Sequence, residues 1–245
     1  MSIWGKVIGG IGGLAIGGPI GAMIGAFAGH MADRYADDQD DEHPDRDATK
    51  QISFTIGVIV LGAKMAKADG IVTRDEVNAF REVFHVPPHE ARNVARIFDK
   101  AKRESEGFEP YAMQLARMFR NNKGVLEDLL DALFHIAKAD DVLHPAEIEF
   151  LRRCAIIFGF SEADYERIKA GHATGDDQDP YVILGVDRDA DDATIKAQYR
   201  KLIRENHPDT LIAQGVPQEF VDIANDKLAA INDAYDQVQK HRGFS

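Results

Sequence analysis

Glycine recurs at every fourth position through the first 29 residues of this 245-residue chain. The repeat comprises Gly5, Gly9, Gly13, Gly17, Gly21, Gly25 and Gly29. Positions four apart lie on nearly the same face of a helix, so these glycines would form a groove that another helix backbone can approach closely. In water each glycine costs a helix about 1 kcal/mol relative to alanine, so such a helix needs lipid or a partner. The pattern predicts a glycine-zipper helix that forms homo-oligomers through this face.

The same segment has the length and polarity of a membrane span. Val7 to Gly29 are 23 consecutive residues without a charged side chain. A helix of this length measures roughly 34 Å, and the hydrocarbon layer of a membrane is about 30 Å thick. Pro19 is expected to kink the helix near its centre. We therefore predict a transmembrane anchor within residues 1–32.

Two alternatives stay open for this segment. A cleavable signal peptide would explain Lys6, the apolar run and the small residues on either side of Phe27. A flexible linker fits less well, because linkers favour serine and polar residues over Ile, Leu and Met. Lys6 precedes the apolar run, whereas Arg34, Arg46 and Lys50 follow it. This distribution of basic residues favours a single-pass anchor whose C-terminal body lies in the cytoplasm.

Charge and cysteine content exclude several classes of protein. Residues 33–49 are rich in carboxylates and are predicted to form a linker. The whole chain carries 41 acidic and 29 basic side chains, a net charge of −12 that argues against nucleic-acid binding. Cys154 is the single cysteine, which excludes a disulfide framework and a cysteine-rich zinc module.

Apolar residues between positions 50 and 171 recur at helical spacing, which predicts an all-α fold for this region. Prolines and capping residues mark the expected helix boundaries: Pro87–Pro88, Pro110, Pro145, and Ser161 with Asp164. The sequence of residues 66–72 is echoed at 137–143, so each half contains an apolar helix, an acidic turn and a second helix. This layout resembles the TerB family of all-helical domains, and we expect a TerB-like helical bundle over residues 50–171.

The two acidic turns raise the question of a metal site. The candidate ligands are Asp69, Glu76, Asp140 and Glu147. Carboxylate oxygens suit a hard divalent cation, but the spacing of seven residues is too short for an EF-hand loop. Aspartate ends a helix readily, and glutamate at the third helical position caps its own backbone, so turn chemistry is the preferred explanation. We predict no metal ion and no cofactor.

A short polar linker at residues 172–178 precedes a further region whose sequence contains residues that start and end helices. Asp179 and Pro180 are expected to start a short helix that Gly185 ends. Asp191 is expected to cap a longer helix over residues 192–205. This helix carries an apolar stripe of Ile195, Tyr199 and Leu202 and a basic face of Lys196, Arg200, Lys201 and Arg204. A last helix, from about Pro217 to Gln239, would pack on the stripe with Phe220, Ala224, Leu228, Ile231, Tyr235 and Val238.

Four motifs in the C-terminal region, in order, resemble the J domain of the DnaJ family. They are the opening DPYVILGV, the YRKL of the second helix, the His207-Pro208-Asp209 tripeptide (the HPD turn) and the INDAY of the last helix. The resemblance implies a J-domain helical hairpin over residues 179–245. It also implies that the basic face and the HPD turn bind a DnaK-type chaperone and stimulate its ATP hydrolysis. The protein would then be a co-chaperone and not itself an enzyme.

The order of anchor, TerB-like domain and C-terminal J domain is similar to the DjlA family of membrane-anchored J proteins from Gram-negative bacteria. This resemblance implies an inner-membrane co-chaperone. Two alternatives are a metal-binding TerB-like envelope-stress protein and a membrane scaffold, each with an accessory J domain. The sequence does not identify the client proteins or the oligomer number.

Overall fold

The computed structural model describes residues 17–28, 46–68, 86–88, 91–103, 107–139, 143–173 and 179–244, and the regular elements in these ranges are helices. They are α1 (Gly18–Ala28), α2 (Arg46–Ala68), α3 (Ala91–Arg103), α4 (Glu109–Met118), α5 (Lys123–Ala137), α6 (Pro145–Ile157), α7 (Glu162–Gly171), α8 (Pro180–Leu184), α9 (Asp192–Glu205), α10 (Pro208–Gln214) and α11 (Val221–Arg242), with a 3₁₀ turn at Gln218–Phe220. The prediction of an all-α fold is confirmed.

Helix α2 is the centre of the larger helical body. It is in contact with α3, α4, α5 and α6, and every residue from Ile52 to Ala66 is buried. The ammonium of the charged Lys64 lies 5.7 Å from the centroid of the Tyr111 ring. A helix buried on all sides needs apolar residues all round, which explains why α2 does not have a single apolar face.

Helix α1 packs on this body through two apolar side chains. Ile20 and Met23 are buried, and the side-chain amide of Gln114 on α4 binds the start of the helix. It donates to the carbonyl of Gly17 (2.6 Å) and accepts from the N–H of Ile20 (2.9 Å). Pro19 lies in the first turn of α1, where its missing N–H breaks no helical hydrogen bond. Within the described ranges, no helix combines the length and apolar character that a membrane crossing requires.

The predicted starts of several helices agree with the observed caps. Ser161 accepts a hydrogen bond from the N–H of Asp164 (3.1 Å), whose carboxylate accepts from the N–H of Ser161 (2.9 Å). Asp179 caps α8 by accepting from the N–H of Tyr181, and Asp191 caps α9 by accepting from the N–H of Thr194. Gly185 ends α8 with φ of 66°, a left-handed conformation that glycine adopts without strain.

Helices α8, α9 and α11 form a second, smaller core. Ile195 and Leu202 of α9 are buried with Ile231 and Val238 of α11. The rings of Tyr199 and Tyr235 stack beside them, with centroids 3.9 Å apart. The expected packing of the last helix on the apolar stripe of α9 is therefore present from Ile231 onward.

The start of the last helix departs from this expectation. Phe220 and Ala224 belong to the larger core, not to the core around α9. The Phe220 ring meets Phe54 of α2 edge to face, with centroids 4.7 Å apart. The cause is α10, a helix that the sequence analysis missed, which packs on α5 together with the start of α11. Leu211 and Val216 join the larger core from the same segment, so the C-terminal region is fastened to the helical body.

Candidate functional site

The HPD turn lies between α9 and α10, where the backbone changes direction. His207 is the N-cap of α10 in an extended conformation, and its Nδ1 accepts from the N–H of Asp209 at 3.2 Å. Pro208 occupies the first helical position, where its fixed φ favours the start of a helix. Because Nδ1 accepts, a neutral imidazole carries its proton on Nε2. The turn is thus a compact, self-capped unit whose His207 side chain is 50% exposed and whose Asp209 side chain is 90% exposed.

The predicted basic face lies on α9 and leads to this turn. Arg200, Lys201 and Arg204 are exposed, and Lys196 is half-buried with its ammonium 5.2 Å from the centroid of the Phe244 ring. A groove of about 350 Å³ joins part of this face to the HPD turn. It is lined by Tyr199, Arg200, Ile203, Arg204, His207 and Thr210. The arrangement offers an apolar floor with cationic side chains and an imidazole around it.

Of the four candidate metal ligands, Glu147 alone lies among the described residues. Glu147 is 1% exposed, and its carboxylate accepts from the N–H of His144 at 3.0 Å in a capping box. Asp69, Glu76 and Asp140 lie outside the described residues. Within the described part of the chain, no group of three or more His, Cys, Asp or Glu side chains is placed to hold a metal ion.

The described part of the glycine zipper is limited to three members. Gly17 directly precedes α1, and Gly21 and Gly25 lie within it. The other four zipper glycines, Gly5, Gly9, Gly13 and Gly29, lie outside the described residues.

An ionic cluster that the sequence analysis missed lies behind the HPD turn. Lys227 of α11 places its ammonium 2.5 Å from Asp128 Oδ1, 2.6 Å from Asp131 Oδ2 and 3.6 Å from Glu127 Oε1. All three carboxylates project from α5, and their side chains are no more than 8% exposed. The available signal was three acidic residues inside an otherwise apolar helix, since burial of such residues requires a partner.

Two of the three carboxylates in this cluster have a second partner besides Lys227. Arg167 of α7 donates to both oxygens of Glu127, at 3.0 and 2.5 Å. His172 Nε2 lies 2.8 Å from Asp131 Oδ1. Asp128 has only Lys227 as a side-chain partner among the described residues, whereas Asp131 also contacts His172. The buried Oδ2 atoms of both carboxylates accept no hydrogen bond within the described part of the chain. Asp128 is therefore the carboxyl group of the cluster that most favours a proton.

The pKa values follow this difference in partners. Burial raises the pKa of Asp128 to about 7, and the nearby charge of Lys227 offsets only part of that rise. Burial acts in the same direction on Asp131, but Lys227 and His172 outweigh it and lower the pKa of Asp131 to about 2. Burial lowers the pKa of Lys227, but the three carboxylates outweigh it and raise that pKa, so Lys227 stays charged.

We expect the Asp128→Asn substitution to make stability less dependent on pH. A carboxyl group with a pKa of about 7 when folded and 3.8 when unfolded binds its proton more tightly in the folded state. The free energy of unfolding of the wild type therefore falls as pH rises between these values, by about 2 kcal/mol from about pH 5.5 to about pH 8. Asparagine does not titrate, so this component should be missing in urea denaturation of the variant.

The exposed Asp189→Asn substitution is the matched control, because it removes a carboxylate from the surface. It should retain the pH dependence of the wild type. Equal pH dependence in the wild type and in Asp128→Asn would show that Asp128 does not take up the proton.

Three family models match successive parts of the chain. Residues 1–52 match the family described as co-chaperone DjlA transmembrane domain, residues 55–170 match tellurite resistance protein TerB, and residues 179–242 match the DnaJ domain. The resemblances to TerB and to a J domain are thereby confirmed. The first of these matches also indicates a membrane-anchored protein. No solved structure matches the chain.

Curated relatives are similar to the chain over most of their length. The co-chaperone protein DjlA of Photobacterium profundum is 31% identical over 280 residues, covering 99% of this chain and 100% of the relative. The DjlA proteins of Vibrio parahaemolyticus and Coxiella burnetii are 29% and 28% identical, each over 80% of this chain, covering 81% and 79% of the relative. Together with the helical body and the J domain described above, this similarity places the chain in the DjlA family of J-domain co-chaperones.

Proposed function

We propose that the protein is a single-pass inner-membrane co-chaperone whose cytoplasmic J domain recruits a DnaK-type chaperone and stimulates its ATP hydrolysis. The HPD turn and the basic face of Lys196, Arg200, Lys201 and Arg204 would make the contacts. The groove that joins Arg200, Arg204 and His207 is the observation that carries this proposal. It puts an exposed HPD turn and exposed cations on one continuous surface.

Electrostatics supports a protein partner with an acidic docking surface. The chain as a whole has a net charge of −12, so the cations of α9 form a local exception. Complementary charge raises the rate of association and fixes the orientation of docking more than it adds affinity. The apolar floor of the groove, formed by Tyr199 and Ile203, would then exclude water from the centre of the contact.

The proposed role of the HPD turn is to select a state of the partner. His207 is held by the backbone of its own turn, so it presents a fixed hydrogen-bonding surface. A surface that binds one state of an ATPase more tightly than another shifts the partner toward that state. Water would cleave the phosphoanhydride bond of ATP within the chaperone, and His207 need not act as an acid or base.

The N-terminal segment would place this activity at a membrane. Its match to the DjlA transmembrane family supports the anchor, and the basic residues that follow the apolar run support a cytoplasmic body. The glycine zipper of residues 5–29 would join copies of the chain within the bilayer. A bilayer position for its second half requires Ile20 and Met23 to leave the helical body on which α1 packs in the structure. The TerB-like domain would be the part that meets clients or other partners.

His207→Gln is expected to return ATP hydrolysis by the cognate DnaK-type chaperone to near its unstimulated rate. Glutamine keeps a polar side chain but loses the imidazole that caps Asp209, so the surface offered to the partner changes. The measurement is single-turnover ATP hydrolysis with the full chain in lipid nanodiscs.

His241→Gln is the control, because His241 is an exposed histidine on α11. It should stimulate hydrolysis as the wild type does. Equal stimulation by the wild type and His207→Gln would overturn the proposed function, as would a wild type that leaves hydrolysis unchanged.

A further inference from the structure

The inner side of the HPD turn is attached to the TerB-like body, while its outer side is open. Asn206, directly before the turn, is 1% exposed, and Leu211, two residues after it, is also 1% exposed. Between them, the side chains of His207 and Asp209 are 50% and 90% exposed. The turn is therefore held at both ends by buried residues. Asn206 and Leu211 are themselves too buried to contact a partner.

Backbone packing brings the end of α9 directly onto α5. A side-chain carbon at Gly124 of α5 would lie 2.6 Å from the carbonyl oxygen of Glu205 and 3.2 Å from Leu211. Only a residue without a side chain allows this approach, so α5 and the residues flanking the turn are in direct contact. The position of the turn is thereby coupled to the position of α5.

Lys227 connects the same two regions through charge and hydrogen bonding. Its ammonium is held by Asp128 and Asp131 of α5 and donates to the side-chain oxygen of Asn206 at 3.0 Å. The side-chain nitrogen Nδ2 of Asn206 donates to the backbone carbonyl of Leu202 at 2.9 Å, inside the last turn of α9. One buried cation thus bridges the TerB-like body and the residue that directly precedes His207.

We propose that Lys227 is a positioning residue, which fixes Asn206 against the α5 carboxylates and so sets the orientation in which the TerB-like domain presents the HPD turn. The proposal rests on the proposed function, since orientation matters only if the turn contacts a partner. Lys227 itself is buried, with its side chain 10% exposed, and would not touch the partner. Its loss should therefore lower the maximal stimulation and leave the affinity of docking, which depends on the exposed cations, nearly unchanged.

The double variant Asp128→Asn/Lys227→Met tests this proposal by removing the bridging cation together with one of its carboxylate partners. Glu127 keeps its ion pair with Arg167, and Asp131 keeps its contact with His172. Asp128→Asn is the control, because Asp131 and Glu127 still hold Lys227 beside Asn206. The measurement is single-turnover ATP hydrolysis by the cognate DnaK-type chaperone at increasing concentrations of the full chain in nanodiscs.

We expect the double variant to lower the maximal stimulated rate by about threefold or more, with a half-saturating concentration within about twofold of the wild type. Asp128→Asn and the conservative rescue Asp128→Asn/Lys227→Arg should both stay near the wild-type rate. Circular dichroism confirms folding at the assay temperature. If the double variant is unfolded, Asn206→Ala replaces it as the test. This variant removes the hydrogen bond between Lys227 and Asn206 and keeps the ionic cluster. The same loss of maximal rate is expected.

The outcomes separate this inference from the proposed function. A wild-type maximal rate in the folded double variant, or in Asn206→Ala where that variant decides, overturns the positioning role while His207→Gln stays inactive. A rise in the half-saturating concentration alone overturns it too, because Lys227 would then affect docking. Absence of stimulation by the wild type would instead overturn the proposed function.

Discussion

Phe220→Ala is expected to lower the free energy of unfolding of the full chain by about 3–5 kcal/mol. Phe220 is 2% exposed and lies where the start of α11 meets the larger core. Truncation removes its buried apolar area and leaves a cavity that a close-packed core cannot fill completely. It also removes the edge-to-face contact with Phe54. Urea denaturation followed by circular dichroism measures the change.

Met113→Ala is the control for this prediction, because Met113 is 49% exposed on α4. It should change the free energy of unfolding by no more than about 0.5 kcal/mol. A loss in Phe220→Ala that is no larger than the loss in Met113→Ala would contradict the packing of the C-terminal region on the helical body.

Arg167→Met is expected to cost about 3–5 kcal/mol of stability, because it leaves the buried carboxylate of Glu127 without its bidentate partner. The side chains of Arg167 and Glu127 are 10% and 8% exposed, so the Glu127 carboxylate stays largely shielded from bulk water after the substitution. Lys227 lies 3.6 Å from Glu127, but Asp128 and Asp131 also engage it. The measurement is again urea denaturation, performed at neutral pH.

Two further variants separate burial from charge in this prediction. Adding Glu127→Gln to Arg167→Met removes the stranded carboxylate and should recover part of the lost stability. Arg152→Met breaks the exposed pair of Arg152 and Glu162 and should have a much smaller effect, since water screens that pair. Equal losses in Arg167→Met and Arg152→Met would contradict the assignment of Arg167 to a buried ion pair.

The features that sequence predicted well are local ones. Ser161 and Asp191 cap helices whose first turns begin within three residues, so short-range chemistry determines where α7 and α9 start. The break between α9 and α10 follows from Pro208 in the same way. The HPD turn and the basic face were found because they are contiguous or lie on one helix. Their role in binding a partner stays a proposal.

Contacts between distant segments were not predictable in this way. Phe54 and Phe220 are separated by most of the chain, and nothing in their local sequence indicates that their rings meet. Lys227 lies on a helix whose sequence pattern indicates only an apolar face. Its carboxylate partners on α5 lie about 100 residues earlier in the chain. Periodicity identifies the apolar face of each helix but not its neighbour, so Phe220 and Ala224 were assigned to the wrong core.

The insertion of Leu211, Val216, Phe220 and Ala224 into the larger core affects how the C-terminal region moves. Exposing these side chains to water costs about 0.8 kcal/mol per methylene. Separation of the C-terminal region from the body would expose all four, so it is unfavourable. A module on a free tether would sample many directions and meet its partner from any of them. Here the C-terminal region and the body would reorient together, so the HPD turn would keep one orientation relative to the TerB-like domain.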